Sequence, residues 1–314
     1  MKYGLKKLVA LIITVFVVSF LSFFAFSVIS GDAAQSKLGT EATKEQVEAL
    51  REEMGLDEPV FTRYGTWICN VLKGDFGISY RYNIPVKDMI KDRVPIMIAL
   101  VGMSFLFVVT ISIPVGIFCA SYKSSWLDQG ICIVNQIMMA VPSFFIGMIL
   151  TFIFGLILRW FTPGAYVAIS RDPIGFFLYL IPPSIAMAIP KTAMAIKILR
   201  SAILSQMDMD YVRTAYSRGN TKYQVLYHHV LRNALMPTIT FGAMVLIDLV
   251  ANSVIMEQVF SIPGLGNLLI TSISSRDYPV VQFIIIFIAT FVIITNFLVD
   301  FLYGKIDPRV RVKK

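Results

Sequence analysis

Long apolar runs alternate with polar stretches along the whole chain. Six runs are long enough to cross a bilayer as helices: residues 8–29, 96–120, 131–158, 177–199, 237–257 and 281–303. The first spans about 33 Å at 1.5 Å per residue, against a hydrocarbon core about 30 Å thick. It follows Lys2, Lys6 and Lys7. A cleaved signal peptide would have a shorter apolar core and a small-residue cleavage site, so this run reads as a retained helix. Pro114, Pro142, Pro182, Pro183 and Pro190 fall inside the runs. Prolines are tolerated in buried membrane helices and predict kinks there. The pattern predicts an all-α, polytopic membrane protein with six transmembrane helices.

Two polar stretches carry structure of their own. Residues 31–94 hold nine Lys/Arg against eleven Asp/Glu. Thr43 and Gln46 form a capping box for a helix bearing Val47, Leu50 and Met54, ended by Gly55. Pro59 starts a second helix with Tyr64, Trp67, Ile68 and Val71 on one side, ending near Gly74. Val86, Met89 and Ile90 mark a third. Each has one apolar side, which predicts a small packed cap.

The other stretch is Asp210–Pro237, DYVRTAYSRGNTKYQVLYHHVLRNALMP. Tyr211, Val212, Ala215 and Tyr216 recur on one helical face. Gly219 then breaks the helix, as a residue free to take a left-handed conformation. Thr221 and Gln224 form a capping box for a second helix. Val225, Leu226, His229 and Val230 lie along one side of it, and Pro237 ends it and opens the next span. Two short helices bent at a glycine predict a compact knob rather than a solvated linker.

Composition sharpens this picture. Of 314 residues 56% are hydrophobic and 15% charged, where a soluble domain has about a quarter charged. The net charge of +8 matters less than its placement. The N-terminus contributes +3, loop 121–130 contributes 0, residues 200–235 contribute +3 and the tail 304–314 contributes +4, a sum of +10 on one side. The two short loops on the other side carry Arg171 and Arg276, each beside an Asp. Positive-inside asymmetry places both termini in the cytoplasm. The basic charge then faces anionic lipid and the cytoplasm, not nucleic acid. Cys69, Cys119 and Cys132 form no CxxC motif. Cys119 and Cys132 sit at span edges and read as small hydrophobes.

The 210–237 stretch resembles the EAA loop of ATP-binding-cassette (ABC) importer permeases, the segment that docks into the ATPase subunit. Its slots read Arg213-Thr214-Ala215 and then Gly219, without the acidic first residue, and Pro237 lies 237 − 219 = 18 positions on. Both departures are similar to the oligopeptide/dipeptide/nickel branch. Further matches run the length of the chain: GDAA (31–34), MGLDEP (54–59), KGDFGIS (73–79), DRVP (92–95), IPVGI (113–117), WLD (126–128), VPSFFIGMIL (141–150), VFSIPGLGNLL (259–269), RDYPVVQ (276–282) and VDFLYGKIDPRVR (299–311).

The resemblance implies a type I ABC-importer permease in a bacterial or archaeal plasma membrane. Four parts follow: residues 1–30 as cytoplasmic N-terminus and first span, 31–94 as an extracytoplasmic helical cap, 95–304 as a five-helix core with a cytoplasmic coupling loop at 201–236, and 305–314 as a basic tail. Implied partners are a second related permease forming a heterodimer, two ATPase subunits, an extracytoplasmic substrate-binding protein and the lipid bilayer. The ATPase-coupling residues would be Asp210, Tyr211, Arg213, Thr214, Ala215, Arg218, Gly219 and Thr221. The cargo would be an oligopeptide or dipeptide, or else nickel or another metal chelate.

Catalytic signals are missing. GxxxxGK[ST] does not occur, and Gly304-Lys305 is followed by Ile306, so ATP and Mg would be bound by the partner ATPase subunits. This chain is expected to carry no cofactor, no metal and no covalent chemistry. HExxH is absent, and adjacent His228 and His229 point about 100° apart on a helix, unlike a chelating i, i+4 pair. Gly102-Met103-Ser104 faintly suggests a membrane serine protease, but both histidines lie in the 210–237 stretch. An ion-coupled secondary transporter would show internal repeats, and none is visible. Inside the spans, Lys191 and Asp248 have opposite signs and similar depth, about 13 and 16 Å from the inner ends of their runs. With Asn252 they are the candidate translocation-path residues. The plainer alternative is a snorkelling lysine and an aspartate bonded to a neighbouring helix.

Overall fold

The computed structural model describes residues 2–29, 34, 38, 42–53 and 55–306. Most of GDAA, Met54 and residues 307–314 of the basic tail lie outside the described residues. The helices are α1 (Lys2–Ile29), α2 (Lys44–Glu53), α3 (Val60–Leu72), α4 (Val86–Ile90), α5 (Val94–Ser121), α6 (Trp126–Ala140) and α7 (Ser143–Leu150), which runs into a π-helical turn, Thr151–Ile157. Then come α8 (Pro173–Met207), α9 (Asp210–Ser217) and α10 (Lys222–Gln224), a second π-helical turn (Val225–Val230), α11 (Leu231–Val259), α12 (Leu265–Ser274) and α13 (Tyr278–Ile306). Among the described residues there is no strand, only an isolated bridge between Ile78 and Pro85. The all-α class therefore holds.

Among the described residues, five helical runs are long and apolar enough to cross a membrane, and a sixth if the bent pair α6–α7 counts as one. That pair replaces the continuous span expected at 131–158. It is bent by 98°. Pro142 has no N–H to donate and forces Val141 into an extended conformation, φ −86° and ψ 125°, so the helix stops and restarts. The other interior prolines stay inside α5 and α8. Pro237 corrects a second expectation. It lies inside α11 rather than ending a helix, so one helical run extends from Lys222 to Val259. The short apolar helix α12 was not foreseen.

The chain divides into two compact units, residues 1–97 with 263–314, and residues 98–262. In the first unit α1 packs on α13, and α3 packs on α1. Tyr64 of α3 is buried, its hydroxyl 2.7 Å from Ser19 Oγ and its ring edge-on to Phe16, Phe20 and Phe23. The predicted ends are present: Thr43 and Gln46 exchange capping bonds, and Gly55 and Gly74 take φ of +61° and +85°. Arg93 donates from Nε to Met89 O and from Nη1 to the carbonyls of Pro263 and Gly264, fastening the approach to α12. Asp277, fully buried, accepts bonds from Ser79 Oγ at 2.5 Å and the Tyr80 amide at 2.9 Å. These bonds tie the 77–86 turn to the start of α13.

In the second unit α8 is the centre, packed by α11, α6 and α7. Its buried face includes Phe176, Leu180, Met187, Leu199 and Ile203. Asp172 caps it, accepting from the amides of Ile174 and Gly175. The α7–α11 contact is close because Gly147 has no side chain. A Cβ there would lie 3.1–3.3 Å from Met256, Phe260 and Val259, the small-residue packing common between membrane helices. Tyr179 donates to Phe260 O at 2.7 Å and accepts from the Gly164 amide, anchoring both loops to α8.

The cap turn gives two testable outcomes. Asp277→Ala strands the buried Ser79 hydroxyl and the half-buried Tyr80 amide and should cost about 2–4 kcal/mol locally, read as faster proteolysis of residues 73–93. The Tyr80 phenol is pushed up to about 12, first by burial and then by the charge of Asp277. Its neutral form is favoured in the fold, so this contribution is complete below pH 10 and is lost as pH rises to about 12. Protection of the turn should fall across that window in the wild type and be flatter in Tyr80→Phe.

Candidate functional site

The 210–230 stretch is a knob seated on the helix core. Helix α9 ends as expected: the amides of Gly219 and Asn220 bond the carbonyls of Tyr216 and Ala215, with Gly219 at φ +85°. A Cβ on Gly219 would touch nothing within 4 Å, so backbone conformation alone demands glycine there. Thr221 restarts the helix with a full capping box to Gln224. The chain then passes through the π-helical turn into α11.

One apolar cluster holds the knob. Val212 and Ala215 of α9 and Val225, Leu226 and Val230 of the π turn are buried against Ile117 and Ala120 of α5 and Leu199 and Ile203 of α8. The expected apolar face is narrower than its pattern, since Tyr211 and Tyr216 are exposed. His229 also faces outward, leaving Val225, Leu226 and Val230 as the buried side. Lys222 Nζ donates to the Ser121 carbonyl at 2.9 Å, placing a cation at the C-terminus of α5, where the helix dipole favours one.

Of the predicted coupling residues, Ala215 is inside the cluster and Gly219 makes the turn. Asp210, Tyr211, Arg213, Thr214, Arg218 and Thr221 are all exposed. Arg213 and Asp210 approach to 3.9 Å with side chains 80% and 99% exposed, too open for the pair to matter to stability. The knob therefore has a buried apolar base and an exposed surface of tyrosine, arginine and hydroxyl groups.

Lys191 and Asp248 do meet. Their side chains form an ion pair joining α8 to α11, with 26% and 46% of each side chain exposed. Asn252, one turn along α11, donates to the Asp248 carbonyl at 2.9 Å and accepts from Ser143 Oγ at 3.0 Å. Three helices thus contribute polar groups here, with Asn252 bonding the Asp248 backbone and not the ion-paired carboxylate. Ser143 is one that the sequence did not single out.

A second pair was also missed. Arg200 of α8 grips Asp128 of α6 with two bonds of 2.7 Å. The Asp128 side chain is only 2% exposed and also accepts from the Ser124 amide. In the sequence both count as charges, and Asp128 as part of the WLD motif, without being paired. The signal was Ser125-Trp-Leu-Asp128 ahead of an apolar run, a capping pattern, and Ser125 does accept from the Asp128 amide. Such a bidentate, buried pair fixes α6 against α8. Among the described residues no group of three His, Cys, Asp or Glu could hold a metal ion.

Comparison with known proteins fits this geometry. The family described as binding-protein-dependent transport system inner membrane component matches residues 112–312, and its N-terminal companion matches residues 1–101. A Brucella abortus protein, provisionally named a peptide transport system permease, is 36% identical over 98% of both chains. The oligopeptide transport system permease protein AppB of Bacillus subtilis is 33% identical over 93% of this chain and 94% of its own. A solved chain of the MetNI methionine ABC transporter, in an inward-facing conformation, aligns with a TM-score of 0.55 over 68% of this chain and 94% of its own, at 18% identity. That similarity supports the fold. The chain belongs to the binding-protein-dependent transport system inner membrane component family and is a permease subunit of an ABC importer.

Proposed function

We propose that this permease imports peptides and supplies half of the translocation path, the other half coming from a second, related permease in a heterodimer. Both termini are cytoplasmic, residues 31–94 form an outer cap, and one of two ATPase subunits docks on the knob formed by residues 210–230, the other on the second permease. A substrate-binding protein delivers cargo from outside. The observation that carries this reading is the knob itself: an exposed tyrosine- and arginine-rich surface on a buried base, continuous through Lys222–Val259 with a membrane-crossing helix. That surface rests on the same buried base from which the Lys222–Val259 run enters the membrane core. Closure of the ATPase pair on ATP would draw the two knobs together and turn the central cavity outward. ATP and Mg stay with the ATPase subunits, and this chain performs no covalent step.

Peptide cargo is supported by the Brucella abortus and Bacillus subtilis relatives, which are similar over almost the whole chain and are named for peptide transport. The polar groups of Lys191, Asp248, Asn252 and Ser143 are the proposed lining of the path. The test is reconstitution of the complete complex in proteoliposomes with its binding protein. Labelled tripeptide should accumulate only with ATP. Accumulation of a nickel chelate in place of peptide would overturn the cargo assignment.

Gly219→Val tests the coupling role. A β-branched residue at positive φ costs on the order of 1–2 kcal/mol and tilts the knob surface. The ATPase subunits should still co-purify and hydrolyse ATP, while import per ATP falls at least about fivefold, equivalent to about 1 kcal/mol. Unchanged import per ATP would remove the knob from the mechanism.

A further inference from the structure

We infer that Lys191 and Asp248 form an ion-exchange site for the two free termini of a zwitterionic peptide. The inference deepens the peptide-import reading and rests on it. Position comes first. Lys191 lies 191 − 173 = 18 residues from the start and 207 − 191 = 16 from the end of α8. Asp248 lies 259 − 248 = 11 residues from the end of α11, within the run that extends from Lys222 to Val259. Both are deep in membrane-crossing helices, where an unpaired charge is costly and normally faces a partner or water.

Exposure comes second. Paired with Lys191, the Asp248 side chain is still 46% exposed. A carboxylate open to that degree at that depth needs water or a partner on its open side. One turn along α11, Asn252 bonds Ser143 of α7. On the proposed reading that open side meets an aqueous path, from which the charge pair is reachable.

The chemistry then selects the ligand. A peptide with free ends can hand its carboxylate to Lys191 and its ammonium to Asp248. One protein ion pair becomes two protein–ligand pairs, with no net charge added and no charge left bare. A ligand carrying a single sign would leave Lys191 or Asp248 unpaired, the costly outcome for a poorly solvated pair. The four-carbon lysine stem supplies the motion needed to open the pair. The termini of an extended di- or tripeptide lie roughly 7–11 Å apart, so a modest opening suffices.

The experiment uses the complete permease–ATPase complex in nanodiscs, without nucleotide or binding protein, and a diazirine-bearing tripeptide free at both ends. Photolabelling of the permease should be competed at least about tenfold better, equivalent to about 1.4 kcal/mol, by Ala-Ala-Ala than by its N-acetyl, C-amide form. In Lys191→Gln the C-terminal amide should compete as well as the acid. In Asp248→Asn the N-acetyl peptide should compete as well as the free amine. If the single variants lose the ATPase subunits, the double swap Lys191→Asp, Asp248→Lys should assemble and keep its preference for free termini. Competition indifferent to the termini in the wild type overturns the inference. So does a preference that both single variants retain. Peptide import measured on the same preparation with its binding protein separates the two claims. Import with no terminus selectivity at this site sinks only the ion-exchange assignment, whereas no peptide import at all sinks the peptide reading and this inference with it.

Discussion

Apolar packing between the knob and the ends of α5 and α8 is the constraint on which the rest of the second unit depends. The helices of the knob are short, α9 having eight residues and α10 three. Isolated helices below roughly 12–15 residues are marginal in water. The knob keeps its shape because Val212, Val225 and Val230 are almost wholly removed from solvent against Leu199 and Ile203, each such side chain contributing about 1.5–3 kcal/mol. Its surface tyrosines and arginines are consequently held in place by a base they do not touch. The Lys222–Ser121 bond and the buried Arg200–Asp128 pair fix the same region from two further sides.

In the proposed mechanism the Lys222–Val259 run makes that seat a lever. From Lys222 to Asp248 is 26 residues, about 39 Å at 1.5 Å per residue. Pro237 does not interrupt it, because a proline inside a membrane helix forfeits only local bonds that neighbours can replace. The π-helical turn at Val225–Val230 lies where the run leaves the knob. Such turns concentrate at functional positions. The proposed ATPase-facing surface and the proposed peptide-facing ion pair are therefore on one continuous element.

Much of this was legible in the sequence, for physical reasons that can be named. The two capping boxes, and Gly55, Gly74 and Gly219 as helix ends, follow from local chemistry and appear as read, whereas the runs expected at 131–158 and 237–257 came out broken and lengthened. Sign and depth singled out Lys191 and Asp248, but that they pair shows only in the fold. Local chemistry was insufficient where tertiary contacts decide. Pro142 and Pro237 carry the same residue type, yet one bends the chain by 98° and the other sits inside a continuous helix. Periodicity placed Tyr211 and Tyr216 on the apolar face of α9, but the narrow seat holds only Val212 and Ala215. The Ser79–Asp277 bond joins residues 198 positions apart, and no local pattern announces it. Motifs such as KGDFGIS and RDYPVVQ are visible as strings, but their meeting is visible only in the fold.

The lever is tested most directly by the distance between spin labels at Ser217, on the exposed tip of α9, and Thr240, on the exposed face of α11. It should be measured in the full complex without nucleotide and with ATP trapped. A knob welded to its helix moves with it, so the distance distribution should stay the same while the ATPase pair closes. A shift of about 5 Å or more, roughly one helical turn, would show the knob swivelling on a flexible joint and would contradict coupling through a rigid seat.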